Sequence, residues 1–153
     1  INIMQEENFG ENSLMIENVV KNRCRKLLDE FNNEVKECKG SGALHGIFFK
    51  TDDLSIGKFL KLIPLTITKD PKFVSKLAAA AISDWMFRNY NILVIFSNTD
   101  QVSLFFKPSL IIKEEEINYF FDCLEKTLEH GFWKIVIKFA SKQFSKYINF
   151  GNK

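Results

Sequence analysis

The sequence has little of what enzymes are usually recognised by. Of its 153 residues two are histidines, three are cysteines, three are prolines and seven are glycines. His45 and His130 stand without a partner at metal or relay spacing, so no histidine metal centre and no histidine-dependent nucleophile can be read. Cys24, Cys38 and Cys123 are odd in number and form no CxxC, which argues against a zinc site and for reduced thiols in the cytoplasm. No apolar run reaches the roughly 18 residues of a membrane span. The first residues, INIMQEENFGE, carry acids where a secretion signal has a basic region and an apolar block. "GSG" at 40 to 42 is too short to cradle a phosphate and reads as a tight turn.

What is present is a core. The chain is 46% hydrophobic with 16 phenylalanines, enough for one domain. It opens on Ile1, which reads as a piece of a longer chain. The net charge of +2 selects no partner, but it is unevenly placed. Residues 1–38 hold eight acids and five bases, whereas from His130 onward there are five lysines and no acid.

Periodicity predicts a long amphipathic helix over 12–33, with Ile16, Val20, Cys24, Leu27 and Phe31 on one stripe. "CKGSG" breaks it and "ALHGIFF" reads as a strand. A short helix is expected before Pro64. Asp70 and Pro71 read as the cap and first residue of a helix over 72–90, whose four alanines permit close approach to a neighbour. "NILVIFS" and "VSLFF", joined by "NTDQ", read as a hairpin of buried strands. From Glu114, residues Ile117, Phe120, Phe121, Leu124 and Leu128 mark another helix, its acids at the positive end and Gly131 at its stop. A last helix carries Trp133, Val136, Ile137, Ala140, Phe144 and Tyr147 on one stripe, widened by Ile135 and Phe139. The order helix, strand, helix, two strands, two helices implies an α+β fold, a small antiparallel sheet of three to four strands packed on helices.

No catalytic set emerges from these residues. His45 and His130 read as structural, and Glu114 to Glu116 as a solvated helix start. Lys134, Lys138, Lys142 and Lys146 follow one another at i+4. They read either as the solvated edge of a packed helix or as a surface that docks on an anionic membrane or partner protein. Nucleic acid is not expected, since the chain is barely basic.

Three stretches, in order, resemble the C-terminal small domain of class III (ornithine aminotransferase-like) pyridoxal-phosphate transaminases. "NIMQEENFGENSLMIENVVKNRCRKLLDE" is similar to that domain's opening helix. "KECKGSGALHGIFF" is similar to its arginine-glycine-x-glycine-leucine turn and following strand. "NILVIFSNTDQVSLFFKPSLIIKEEEINYFFDCLEKTL" resembles its closing hairpin, proline-proline-leucine corner and acidic final helix. "KLAAAAISDWMFRNYN" looks like the extended connection of one family variant. The resemblance covers most of 2–130, leaving 131–153 as a basic amphipathic terminal helix.

The resemblance implies a fold type I lobe that closes the cleft of a larger aminotransferase, with an amino donor and an oxo acceptor as substrates. It implies a homodimeric parent whose contacts are mostly made by the large domain. In the family an arginine three residues before the corner proline receives the substrate carboxylate, a task suited to a bidentate guanidinium. Here that position is Phe105. The corner is Pro108 with Ser109 in place of the second proline, and Lys39, before Gly40 and Gly42, replaces the turn arginine. Phe105 reads as an ordinary strand aromatic, as a wall for a substrate without a carboxylate at that end, or as a sign that activity is lost. The Schiff-base lysine and the other cofactor-binding residues would lie upstream. Pyridoxal phosphate is therefore expected in the parent, and neither the bound cofactor nor catalysis in this chain alone.

Overall fold

The computed structural model describes residues 8–51, 72–97 and 104–150, and side chains of the last helix as far as Gln143. The helix expected before Pro64 and the cap expected at Asp70–Pro71 lie outside the described residues. Helix α1 spans Phe9–Glu30 and buries Ile16, Val20, Cys24 and Leu27, four of the five stripe residues expected of it. Beyond it the chain turns at once into strand β1, Val35–Ser41, which pairs antiparallel with β2, Leu44–Phe49. This extra strand corrects the reading of "CKGSG" as a break. Only Val35 of β1 is buried, so its sequence lacks the alternation that marks a strand. Backbone pairing with β2 holds it instead.

Two residues therefore lie within a strand. Lys39 and Gly40, expected at the turn, are the fifth and sixth residues of β1, and the turn is Gly42–Ala43. Gly42 has φ 56°, the left-handed region that a glycine enters at no steric cost. Gly40 is required for another reason. A Cβ there would sit 2.2 Å from the Leu44 carbonyl oxygen and 2.5 Å from the His45 Cα.

Helix α2, Phe73–Tyr90, buries Ala78, Ala79, Ala81, Ile82 and Met86. The small residues let the last helix of the chain pack closely against it, as the four alanines lead one to expect. The hairpin follows as β3, Ile95–Phe96, and β4, Leu104–Phe106, giving an antiparallel sheet of order β1-β2-β4-β3. β4 is largely buried, but β3 is exposed at the sheet edge, contrary to expectation. An edge strand has a neighbour on one side only.

Helix α3, Glu114–Glu129, buries all five residues of its stripe. Each contributes about 1.5–3 kcal/mol by leaving water. The carboxylate of Glu116 accepts the Lys113 N–H at 3.0 Å, and Gly131 at φ 110° follows the last turn. Helix α4, Phe132–Phe150, buries Phe132, Ile135, Val136 and Ala140, while Ile137 is exposed. Its buried face is thus turned toward Ile135 from the expected stripe, because Phe132 enters the core and stacks on Phe49, ring centroids 5.1 Å apart. Phe144 and Tyr147 have side chains outside the described set. The result is the α+β architecture expected from the sequence.

One face of the sheet meets the helices. Ile47 and Phe49 of β2 and Leu104 and Phe106 of β4 join Ile16, Ile82, Phe121 and Val136 in a single apolar cluster. Phe106 lies 4.6 Å from Phe120 and 5.8 Å from Phe121, centroid to centroid. At the margin, buried Glu125 of α3 accepts from Arg23 at 2.8 Å and Lys26 at 2.9 Å, joining α3 to α1. Arg23 also reaches Asp122 at 2.5 Å and lies over the Phe121 ring.

Two stability outcomes follow in urea unfolding. Gly40→Ala should cost about 3 kcal/mol, because the added methyl meets backbone that cannot retreat without opening the β1–β2 pair. Glu125→Ala should cost about 2–3 kcal/mol, since it leaves Arg23 half-buried with only the exposed Asp122. A Gly40→Ala protein as stable as the parent would contradict the strand placement of residue 40.

Candidate functional site

The strand register assembles the site. Lys39 pairs with Gly46, Gly46 with Phe105, and Phe105 with Ile95, so these residues form one row across all four strands. Members of a row project from the same face. That face is opposite the core, because the neighbouring row residues His45, Ile47, Leu104 and Phe106 point inward. Lys39 and Phe105 are separated by one strand, about 10 Å at normal spacing. Gly46 between them has no side chain, which leaves a trough in the row.

Phe105 is half-buried and also lines a cleft of about 330 Å³ at the strand–helix corner. Pro108, Ile112 and Tyr119 form other parts of its wall, with Ile92 to Ile95 from the run before β3. Its charged lining groups are Lys107 and Glu116. The walls are otherwise apolar apart from Tyr119, whose hydroxyl is hydrogen-bonded with the Cys123 thiol, a contact that raises its pKa. Such a cleft suits an apolar or amine-bearing group, and no arginine lines it to receive a carboxylate. Lys39, the cation of the row, is engaged with Glu37 at 3.0 Å and lies 5.8 Å from the Phe48 ring centre.

The structure thus brings Lys39, Phe105 and, through the cleft, Pro108 to one side of the lobe. Gly40 and Gly42 lie nearby as hairpin residues. The terminal lysines do not join them. Lys134, Lys138 and Lys142 are exposed on α4, and the Lys146 side chain lies outside the described set. Lys138 and Lys142 border a cleft between α2 and α4 with Trp85, Asp84 and Arg88, the last two paired at 2.8 Å. Phe132, Ile135 and Val136 of α4 pack into the core. His45 is buried with its Nε2 2.9 Å from the Gly42 carbonyl oxygen, and His130 stacks on Trp85 at 4.5 Å. Both occupy structural positions. Among the described residues no group of three or more His, Cys, Asp or Glu could hold a metal, and no helix is long and apolar enough to cross a membrane.

Sequence reasoning missed Gly46, Ile112 and Tyr119 in the site and Glu17 beside it. Register places Gly46, and register is not written in the strand sequence. Glu17 of α1 accepts from the Gly42 N–H at 2.7 Å and the Ser41 hydroxyl at 3.1 Å and is paired with Lys21, so it pins the hairpin turn to the helix. The hydrogen bond from Lys21, then that of the Gly42 amide, lowers its pKa from 4.5 to about 2.

No protein-family model matches the chain. No curated protein matches it by sequence. Solved structures do. A transaminase from the marine bacterium Virgibacillus is similar over 90% of this chain and 27% of its own, with TM-score 0.62 and 13% identity. A lysine aminotransferase from M. tuberculosis is similar over 84% of this chain and 23% of its own, with TM-score 0.61 and 12% identity. An adenosylmethionine-8-amino-7-oxononanoate aminotransferase from Methanocaldococcus jannaschii gives 84% and 25%, with TM-score 0.57 and 21% identity. The chain therefore has the fold of one portion of these aminotransferases and spans about a quarter of their length.

The Glu17 contact gives a pH dependence with a definite sign. Between pH 4.5 and about 2 the unfolded chain takes up a proton at this carboxyl while the folded chain still holds it ionised. Protons then favour the unfolded state, so this stabilisation is present above pH 4.5 and is lost as the pH falls toward 2. In acid titrations followed by circular dichroism, Glu17→Gln should flatten the loss across that window. An unchanged acid limb would remove Glu17 from the turn.

Proposed function

We propose that this chain is the small C-terminal lobe of a larger class III pyridoxal-phosphate aminotransferase, closing one side of the active-site cleft and shaping substrate choice. The observation that carries the reading is the row Lys39–Gly46–Phe105 beside the cleft at Pro108. It puts the two positions that resemble the family's arginines on one face of a fold shared with part of these aminotransferases. The neighbours' greater length supports a missing large domain as partner of this lobe. The parent is proposed to be a cytoplasmic homodimer, with residues 1–130 as the lobe body and 131–153 as a basic terminal helix.

A site for pyridoxal phosphate needs a reactive lysine, a partner for the pyridine nitrogen and anchors for a phosphate, all converging. The corner cleft offers Lys107 and Glu116, but no arginine, serine or threonine lines it, and its tyrosine hydroxyl is taken by Cys123. These residues do not fit the cofactor by themselves, so catalysis is assigned to the missing domain. The contribution of this chain is binding and exclusion. Phe105 presents a ring where a guanidinium would receive a carboxylate, so the substrate end that meets it is an amine-bearing or apolar chain.

Two outcomes test this. In the full polypeptide, Phe105→Arg should raise kcat/KM for a carboxylate-bearing amino donor relative to a simple amine by about tenfold or more, the scale of one charge-assisted bidentate contact. An unchanged ratio in a folded variant would separate Phe105 from the substrate. Borohydride reduction of the isolated chain with pyridoxal phosphate should leave no stoichiometric adduct on a single lysine. A specific adduct, on Lys107 for example, would overturn the assignment of catalysis to the other domain.

A further inference from the structure

The three cysteines look unrelated in sequence, yet two of them meet in the fold. Cys24 faces inward from α1 within the apolar core, and Cys38 of β1 packs against the margin of the same cluster. Both line one cleft of about 180 Å³, together with Lys21, Arg25 and His45. Their side chains are in hydrogen-bonding contact with each other. Cys38 is half-buried and Cys24 is 6% exposed, so a small reagent entering the cleft reaches Cys38 first. Cys123 is buried on α3 beside Tyr119 and does not line that cleft, which makes it an internal control.

We propose that Cys24 and Cys38 form a redox-active dithiol, which small-molecule disulfides oxidise to a cross-link fastening α1 to β1. The exchange balances without any other reactant. The Cys38 thiolate attacks one sulfur of a disulfide RSSR, forming a mixed disulfide and expelling RS⁻. The Cys24 thiolate then attacks the Cys38 sulfur and expels the second RS⁻. The protein loses two electrons and two protons, the electrons reduce RSSR, and the protons end on two RSH. The inference does not depend on the proposed aminotransferase role, since it concerns the α1–β1 seam alone.

The test uses the full polypeptide carrying this chain, folded, with glutathione disulfide as the probe, followed by thiol blocking and peptide mapping by mass. The expected product is a pair of peptides joined through Cys24 and Cys38, lighter by two hydrogens than the reduced pair, with Cys123 unlinked. Cys123→Ser should give the same product, and Cys24→Ser should instead accumulate one glutathione on Cys38. The inference is overturned if Cys24 or Cys38 links to Cys123, if both carry glutathione without linking, or if the folded protein does not react. Should Cys24→Ser fail to fold, the maps of the unaltered and Cys123→Ser proteins decide the matter.

Discussion

The alternation of side chains along β2 and β4 is the constraint on which the rest of this lobe depends. Inward residues Ile47, Phe49, Leu104 and Phe106 complete the apolar cluster that holds α1, α2, α3 and α4. Outward residues Gly46 and Phe105 then have no choice of direction, and they form the centre of the candidate site. A slip of one residue in either strand would bury the site row and expose the core row. Core and site are thus two faces of one register. The β1–β2 pair guards it, because Gly40 approaches the backbone of Leu44 and His45 too closely to admit a side chain.

Helix α1 serves as the tie between the parts. Its Glu17 takes the hairpin turn, its Cys24 meets the thiol of β1, and its Arg23 and Lys26 reach across to Glu125 of α3. The first two contacts sit on the strand that carries Lys39. That end of the row is placed by its pairing with β2 and fastened to α1 by polar and sulfur contacts, since β1 itself buries little apolar surface. Phe105, by contrast, is held by the aromatic packing behind it, where Phe106 stacks among Phe120 and Phe121.

Helices α1 and α3 were legible in the sequence because each buries one stripe and solvates the other, which leaves a periodic trace. β1 was not, because its side chains face mostly outward and its stability comes from pairing with β2. The burial phase of α4 was read one position away from the observed face, since Trp133 and Ile137 are as apolar as the residues that pack. Phe105 and Pro108 could be singled out by resemblance, and their neighbours Ile112 and Tyr119 could not, because only the fold brings the start of α3 against the strands. The meeting of Cys24 and Cys38 was hidden for the same reason: it joins a helix to a strand across a turn whose position the sequence did not reveal.

In the proposed function the outer row and the corner cleft face a substrate held by another domain. An experimental structure of the full polypeptide with pyridoxal phosphate and an unreactive amine analogue of an amino donor tests this proposal. The analogue is expected in a cavity walled partly by Phe105, with Lys39 and the Pro108 corner on the same side and the cofactor held by upstream residues. A cofactor site facing the opposite side of the lobe, with Phe105 covered by unrelated protein surface, would contradict it.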